Sequence, residues 1–110
     1  MEKQIETYLN HIISDYDRWT NQSIAQDPIT KRVREQMFNE FKTNIRLDEG
    51  SKFIKVVTNN SVHSFIVKND MGKFKRGDIL KAASWRAPAK NFSRGNVLTG
   101  NFSNVRWTGC

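Results

Sequence analysis

One cysteine, two histidines and two prolines are all this chain has of residue types on which many small proteins depend. The single thiol, Cys110, stands at the last position, so no disulfide forms within the chain. A four-ligand zinc site would need more Cys and His than are present. There is no GxxxxGKS or GxxxxGKT loop, no GxGxxG after a strand, no HExxH and no CxxC pair, so no cofactor is implied. No apolar run approaches the roughly 18 residues that span a bilayer. The opening MEKQIETYLN lacks a basic segment followed by an apolar one, the mark of a secretory signal. These absences fit a reducing, cytoplasmic setting with no membrane partner.

What is present is positive charge, and it is unevenly placed. The net charge of +7 divides into seven Lys/Arg against nine Asp/Glu over residues 1–50, and eleven against two over residues 51–110. The second half thus carries a local charge of +9 on a background of −2. Such a split puts the positive potential on one part of the fold and suits an anionic partner. At 110 residues, with 37% hydrophobic and 26% charged residues, the chain reads as one globular domain. Residues 1–49 form its helical part and 50–110 its basic β part.

Ile5, Leu9, Ile12, Tyr16 and Trp19 recur at three- and four-residue spacings, which predicts an amphipathic helix from Glu2 to about Trp19. Tyr8 and Ile13 widen the stripe, and Thr20 to Ser23 end the helix. His11 falls on the polar side and reads as solvated. Asp27-Pro28 suits a second helix start, with Asp27 capping free amides. Ile29, Val33, Met37, Phe41 and Ile45 mark its core face, and Asp48 and Glu49 suit its C-terminus poorly, which places its end near residues 44–47.

The period then changes. Residues 52–58 and 62–68 are rich in β-branched and aromatic side chains, with Asn59-Asn60 between them, the pattern of an antiparallel hairpin. Pairing Thr58 with Ser61 sets Val56 opposite His63 and Ile54 opposite Phe65. That register puts His63, Ile54, Val56, Phe65 and Val67 on one face. Both faces are largely apolar, so both are expected to be covered. Residues 69–72 turn, Gly77-Asp78 turn again with Asp78 fixing the bend, and Ile79 to Ala83 form a short strand. Ser84 to Asn96 reads as a long loop, since Pro88 interrupts a central strand. The echo of Asn-Phe-Ser at 91–93 and 101–103 suggests a last hairpin pairing Val97 with Phe102.

The chain's densest cationic stretch lies between Gly72 and Leu98. Lys73, Lys75, Arg76, Lys81, Arg86, Lys90 and Arg94 interleave there with Phe74, Trp85 and Phe92. Cations track phosphates and aromatic faces stack on bases, so the set formed by these seven cations and Trp85 is the candidate binding surface. Trp85 as a core anchor for the loop is an equal alternative, and Phe92 reads as core. His63 is the single imidazole placed for acid–base chemistry beside those cations, as a weak candidate for a metal-independent phosphodiester site. A histidine packed into a sheet with its ring nitrogens satisfied is the plainer reading.

The segments SVHSFIVK (61–68) and FKRGDILKAASWRAPAK (74–90), with FSRGN following at 92–96, resemble small uncharacterised proteins of tailed bacteriophages. The resemblance implies a setting, the bacterial cytoplasm during infection, with roles such as host takeover, anti-defence or genome handling. It brings no catalytic residue.

Together these features predict an α+β fold, with two N-terminal helices on a small antiparallel sheet of about five strands. The sheet is either curled into an SH3-like barrel or open with both helices on one face. The function they favour is a basic module that binds nucleic acid. The alternatives are an inhibitor docking on an acidic surface of a host defence or transcription protein, and a small nuclease using His63.

Overall fold

The computed structural model describes residues 2–23, 28–58 and 61–109. The expected Asp27 cap, the Asn59-Asn60 turn, Cys110 and the side chains of Trp19 and Ile29 lie outside the described residues. Two helices, α1 (Glu2–Ser23) and α2 (Pro28–Asn44), precede five strands: β1 (Arg46–Glu49), β2 (Phe53–Thr58), β3 (Ser61–Val67), β4 (Asp78–Lys81) and β5 (Gly95–Asn96). The strands form one antiparallel meander in the order β1-β2-β3-β4-β5. β1 and β5 are its two edges, so the sheet is open and the barrel alternative does not apply.

Both helices serve one face of the sheet. Tyr8, Ile12 and Tyr16 of α1 and Phe41 of α2 are buried with Ile54, Val56, Ile66 and Ile79 from the strands. Each of the larger apolar side chains contributes roughly 1.5–3 kcal/mol through its burial. From Ile5 to Tyr16 the first-helix stripe holds as read, although its centre is Tyr8, fully buried, rather than Leu9. Among the described residues of α2, only the C-terminal part of the stripe reaches the core. Val33 and Met37 are 49% and 37% exposed, because the sheet lies under the Phe41 end.

Two departures from the sequence reading matter for function. Residues 46–49, assigned to the helical half, form β1. The Gly50 amide bonds to the Phe53 carbonyl at 2.8 Å and turns the chain back, so Arg46–Glu49 pair with β2. The second departure is in the hairpin register. Thr58 pairs with Ser61 as expected, and Val57 with Val62, but Val56 then pairs with Ser64. His63 is the extra residue of a β-bulge, and one added residue transfers every later side chain to the other face. Ile66 therefore joins Ile54 and Val56 beneath the helices, while Phe65 and Val67 face outward.

That outer face is covered too. Phe65, Val67, Phe74 and Leu80 are buried together, flanked by Phe53, Val62, Met71 and Ala82. Toward the other end of the chain, the expected hairpin pairs Asn96 with Asn101 rather than Val97 with Phe102. The Val97 amide donates instead to the Gly77 carbonyl at 2.9 Å, and its side chain is buried in the core beneath the helices.

Candidate functional site

The outer layer is built from two short turns that fold across β2 and β3. Met71 and Phe74 exchange backbone hydrogen bonds at 2.9 Å around Gly72, whose φ of 52° suits a residue without a Cβ. This tucks Phe74 into the outer core and leaves Lys73 at the surface. Beyond β4, the Ala89 amide bonds to the Lys81 carbonyl at 2.7 Å, and Ala82 bridges to Pro88. Proline fits that position because the bridge needs no amide from it. At the tip, the Ser84 hydroxyl accepts from the amides of Arg86 and Ala87, a local turn that presents Trp85 and Arg86.

The tip lies over β2. The Lys55 Nζ sits 4.8 Å from the centre of the Trp85 ring, and Trp85 is 45% exposed. Lys90 Nζ approaches the Phe53 ring at 6.0 Å, and the Arg94 guanidinium stacks on Phe92 at 4.0 Å. Lys73 Nζ donates to the Asn91 carbonyl and ties the first turn to the second. Trp85, Arg86, Lys90, Arg94 and Lys73 are thus brought to the outer layer, joined by Lys52 and Lys55. A shallow groove is lined by Lys52, Phe53, Lys55 and Arg86 together with Asp48 and Glu49. Phe92 is a correction: it is 56% exposed, held beneath Arg94 rather than in the core.

The remaining predicted cations go elsewhere. Lys81 pairs with Ser64, which places it on the helix-bearing face, away from Trp85. Arg76 lines a groove with Glu2, Ile5 and Glu49 on that same side. Lys75 belongs to the β4 turn, where its amide donates to Asp78 at 2.9 Å. Asp78 also accepts from the Asn96 side chain at 2.9 Å, so it fixes the bend and ties β4 to β5. The Arg94 Nε is buried with no hydrogen-bond partner among the described residues.

His63 is 4% exposed and lies under the C-terminal segment. Its Nε2 is 2.6 Å from the Arg106 carbonyl, which only accepts, so Nε2 carries a proton. Its Nδ1 lies 2.9 Å from Ser64 Oγ, and Ser64 Oγ is 2.7 Å from the Tyr8 hydroxyl. The neutral ring fits this chain, with Tyr8 donating to Ser64 and Ser64 donating to Nδ1. Burial holds His63 below the usual imidazole pKa, with a small contribution from His11 against the raising effect of the Arg106 carbonyl. Adjacent residues share one face here only because the bulge turns both inward.

His11 is also not solvated. Its Nε2 lies 2.9 Å from the Val105 carbonyl and its ring meets Phe102 edge-on at 5.0 Å. Asp15, overlooked in the sequence, accepts the Trp107 amide at 2.9 Å. The two histidines and this aspartate fasten residues 105–107 across α1 and β3. A hint lay in their positions, since 11 and 15 are one helical turn apart.

Among the described residues there is no His, Cys, Asp and Glu group arranged to hold a metal ion. No described helix is long and apolar enough to cross a membrane. Neither a curated protein nor a solved structure matches the chain. A family model does match it, over residues 1–110, and the chain belongs to that family, a family of unknown function designated DUF7717.

Proposed function

We propose that this is a small basic protein that binds nucleic acid through the outer layer of its sheet, in the phage-infected bacterial setting that its sequence resemblance implies. The observation that carries this reading is the half-exposed Trp85 ring with the Lys55 ammonium 4.8 Å from its centre. A base stacked on Trp85 has a cation within reach of its phosphate, and Arg86 and Lys90 continue the positive track. Asp48 and Glu49 line the same groove as Lys55 and Arg86, so the proposed track runs from those two cations toward Lys90 and Arg94 and away from the acids. The ligand favoured is single-stranded, because a duplex hides its base faces from an aromatic side chain.

His63 has no part in this reading. It lies on the helix-bearing side of the sheet, with both ring nitrogens engaged within the protein.

The test is a titration with mixed-sequence single-stranded oligonucleotides over a range of salt. Phosphate contacts give a log–log salt dependence whose slope counts the cations engaged. Binding that disappears at physiological salt, beside capture of an acidic protein by the same surface, would replace nucleic acid with that protein as the partner.

A further inference from the structure

The free edge of the sheet carries a separate observation. β1 is exposed along its whole length and, among the described residues, has β2 as its single strand neighbour. Antiparallel ladders alternate hydrogen-bonded and non-bonded residue pairs. The bonded pair Gly50–Phe53 sets the phase, so Asp48–Lys55 and Arg46–Val57 are bonded pairs, while Glu49–Ile54 and Leu47–Val56 are not. Leu47 and Glu49 therefore aim their backbone N–H and C=O groups away from β2. An edge of this kind is a template for another strand.

The side chains select that strand. Leu47 lies on the helix-bearing face, 41% exposed, in a groove lined by Ile5, Leu9 and Ile54 and also by Glu2, Glu6 and Glu49. Arg46 and Asp48 lie on the opposite face, 3.7 Å apart and about half exposed. Consider a second β1 laid antiparallel against the first with outward-pointing residues opposed. Setting Leu47 against Glu49 brings Asp48 against Asp48 of the second copy, and setting Glu49 against itself opposes two carboxylates. Setting Leu47 against Leu47 places Arg46 opposite Asp48 of the second copy, and Asp48 opposite its Arg46. That register alone, of the three, opposes no like charges.

We propose that two copies of the chain join edge to edge through β1 in this register, about a twofold axis at Leu47. The contact is isologous, as a closed dimer requires. Each Leu47 covers the other, and two Arg46–Asp48 pairs cross the seam. Because the axis is perpendicular to the sheet, the helices of both copies share one side. The two outer faces bearing Lys55 and Trp85 then lie side by side on the other.

Sedimentation of the full chain across micromolar to millimolar concentration reads the dimer directly. Arg46→Asp and Asp48→Arg should each weaken self-association by about tenfold or more, since each opposes like charges twice across the seam. An equimolar mixture of the two variants should form a heterodimer. In it, the carboxylates at positions 46 and 48 of one chain face the guanidinium groups at positions 48 and 46 of the other. That restoration cannot arise from repair of either fold. Should a variant melt early, Leu47→Cys in a Cys110→Ser chain gives an independent reading, since the twofold pair should cross-link on mild oxidation. A wild-type chain that stays monomeric at millimolar concentration overturns the proposal. So does a dimer indifferent to both charge reversals, or variants that fail to recombine while folded.

Discussion

His63 Nε2 donates to the Arg106 carbonyl at 2.6 Å, joining the bulge of the central hairpin to the C-terminal segment. The bond needs a proton on Nε2, while burial and the Ser64 hydroxyl facing Nδ1 favour the neutral ring. Its folded pKa lies below the ordinary value of 6.5, and the unfolded chain therefore takes up the proton first. Stability from this site is complete above that ordinary value. It is lost as pH falls below it toward the depressed folded value. The melting temperature should drop as pH falls below 6.5, and His63→Gln should show a shallower drop over the same range. Parallel profiles for the two proteins would assign the acid sensitivity to other groups.

Asp15 holds the same segment from the helix side. Asp15→Ala leaves the Trp107 amide without its carboxylate acceptor and should cost about 1–3 kcal/mol in denaturant unfolding. The ion pair to Arg106, 3.7 Å long with a largely exposed guanidinium, adds little to that loss. A variant as stable as wild type would show that the rings of Phe102 and Trp107 suffice to seat the segment.

Gly95 and Gly72 should respond differently to alanine. A Cβ at Gly95 would stand 2.1 Å from the Asn101 carbonyl oxygen, and that oxygen is fixed by the Asn96 amide. Gly95→Ala should therefore cost about 3 kcal/mol or more, as β5 is forced from its partner. Gly72 has nothing within 4 Å of that position and only its positive φ to lose, which is about 1 kcal/mol. Thermal melts of the two variants, side by side, check the difference.

The binding surface makes a quantitative demand. Substituting Lys55, Arg86 or Lys90 by Ala should each make the log–log salt slope shallower by about one unit. Trp85→Ala should instead weaken binding by roughly 1–3 kcal/mol with little change in slope. Lys81→Ala is the control, because Lys81 lies on the other face and should leave binding close to wild type. Arg94 is a poor probe, since its Nε is buried and its loss would disturb the fold as well as the surface. Equal effects from Lys81 and Lys90 would mean that charge acts in bulk and not through this site.

Much of the architecture was legible from residue spacing. The 3.6-residue period over 5–16, the end of the second helix and the β-rich hairpin all follow from side-chain pattern and turn chemistry, which act over a few neighbours. The +9 charge on residues 51–110 likewise needs only counting. Tertiary structure decided the rest, because it depends on pairings between distant residues. One bulge at His63 chose which apolar residues face the helices, and no local signal distinguishes Phe65 outward from Phe65 inward. Strand alternation then separated Lys81 from Trp85, four residues away in sequence, and the fold of the 82–89 turn brought Lys55 to Trp85 from thirty residues upstream. His11 looked free in sequence, and the partners of His63 could not be named, because the acceptors of the two rings, the carbonyls of Val105 and Arg106, belong to backbone that carries no residue code.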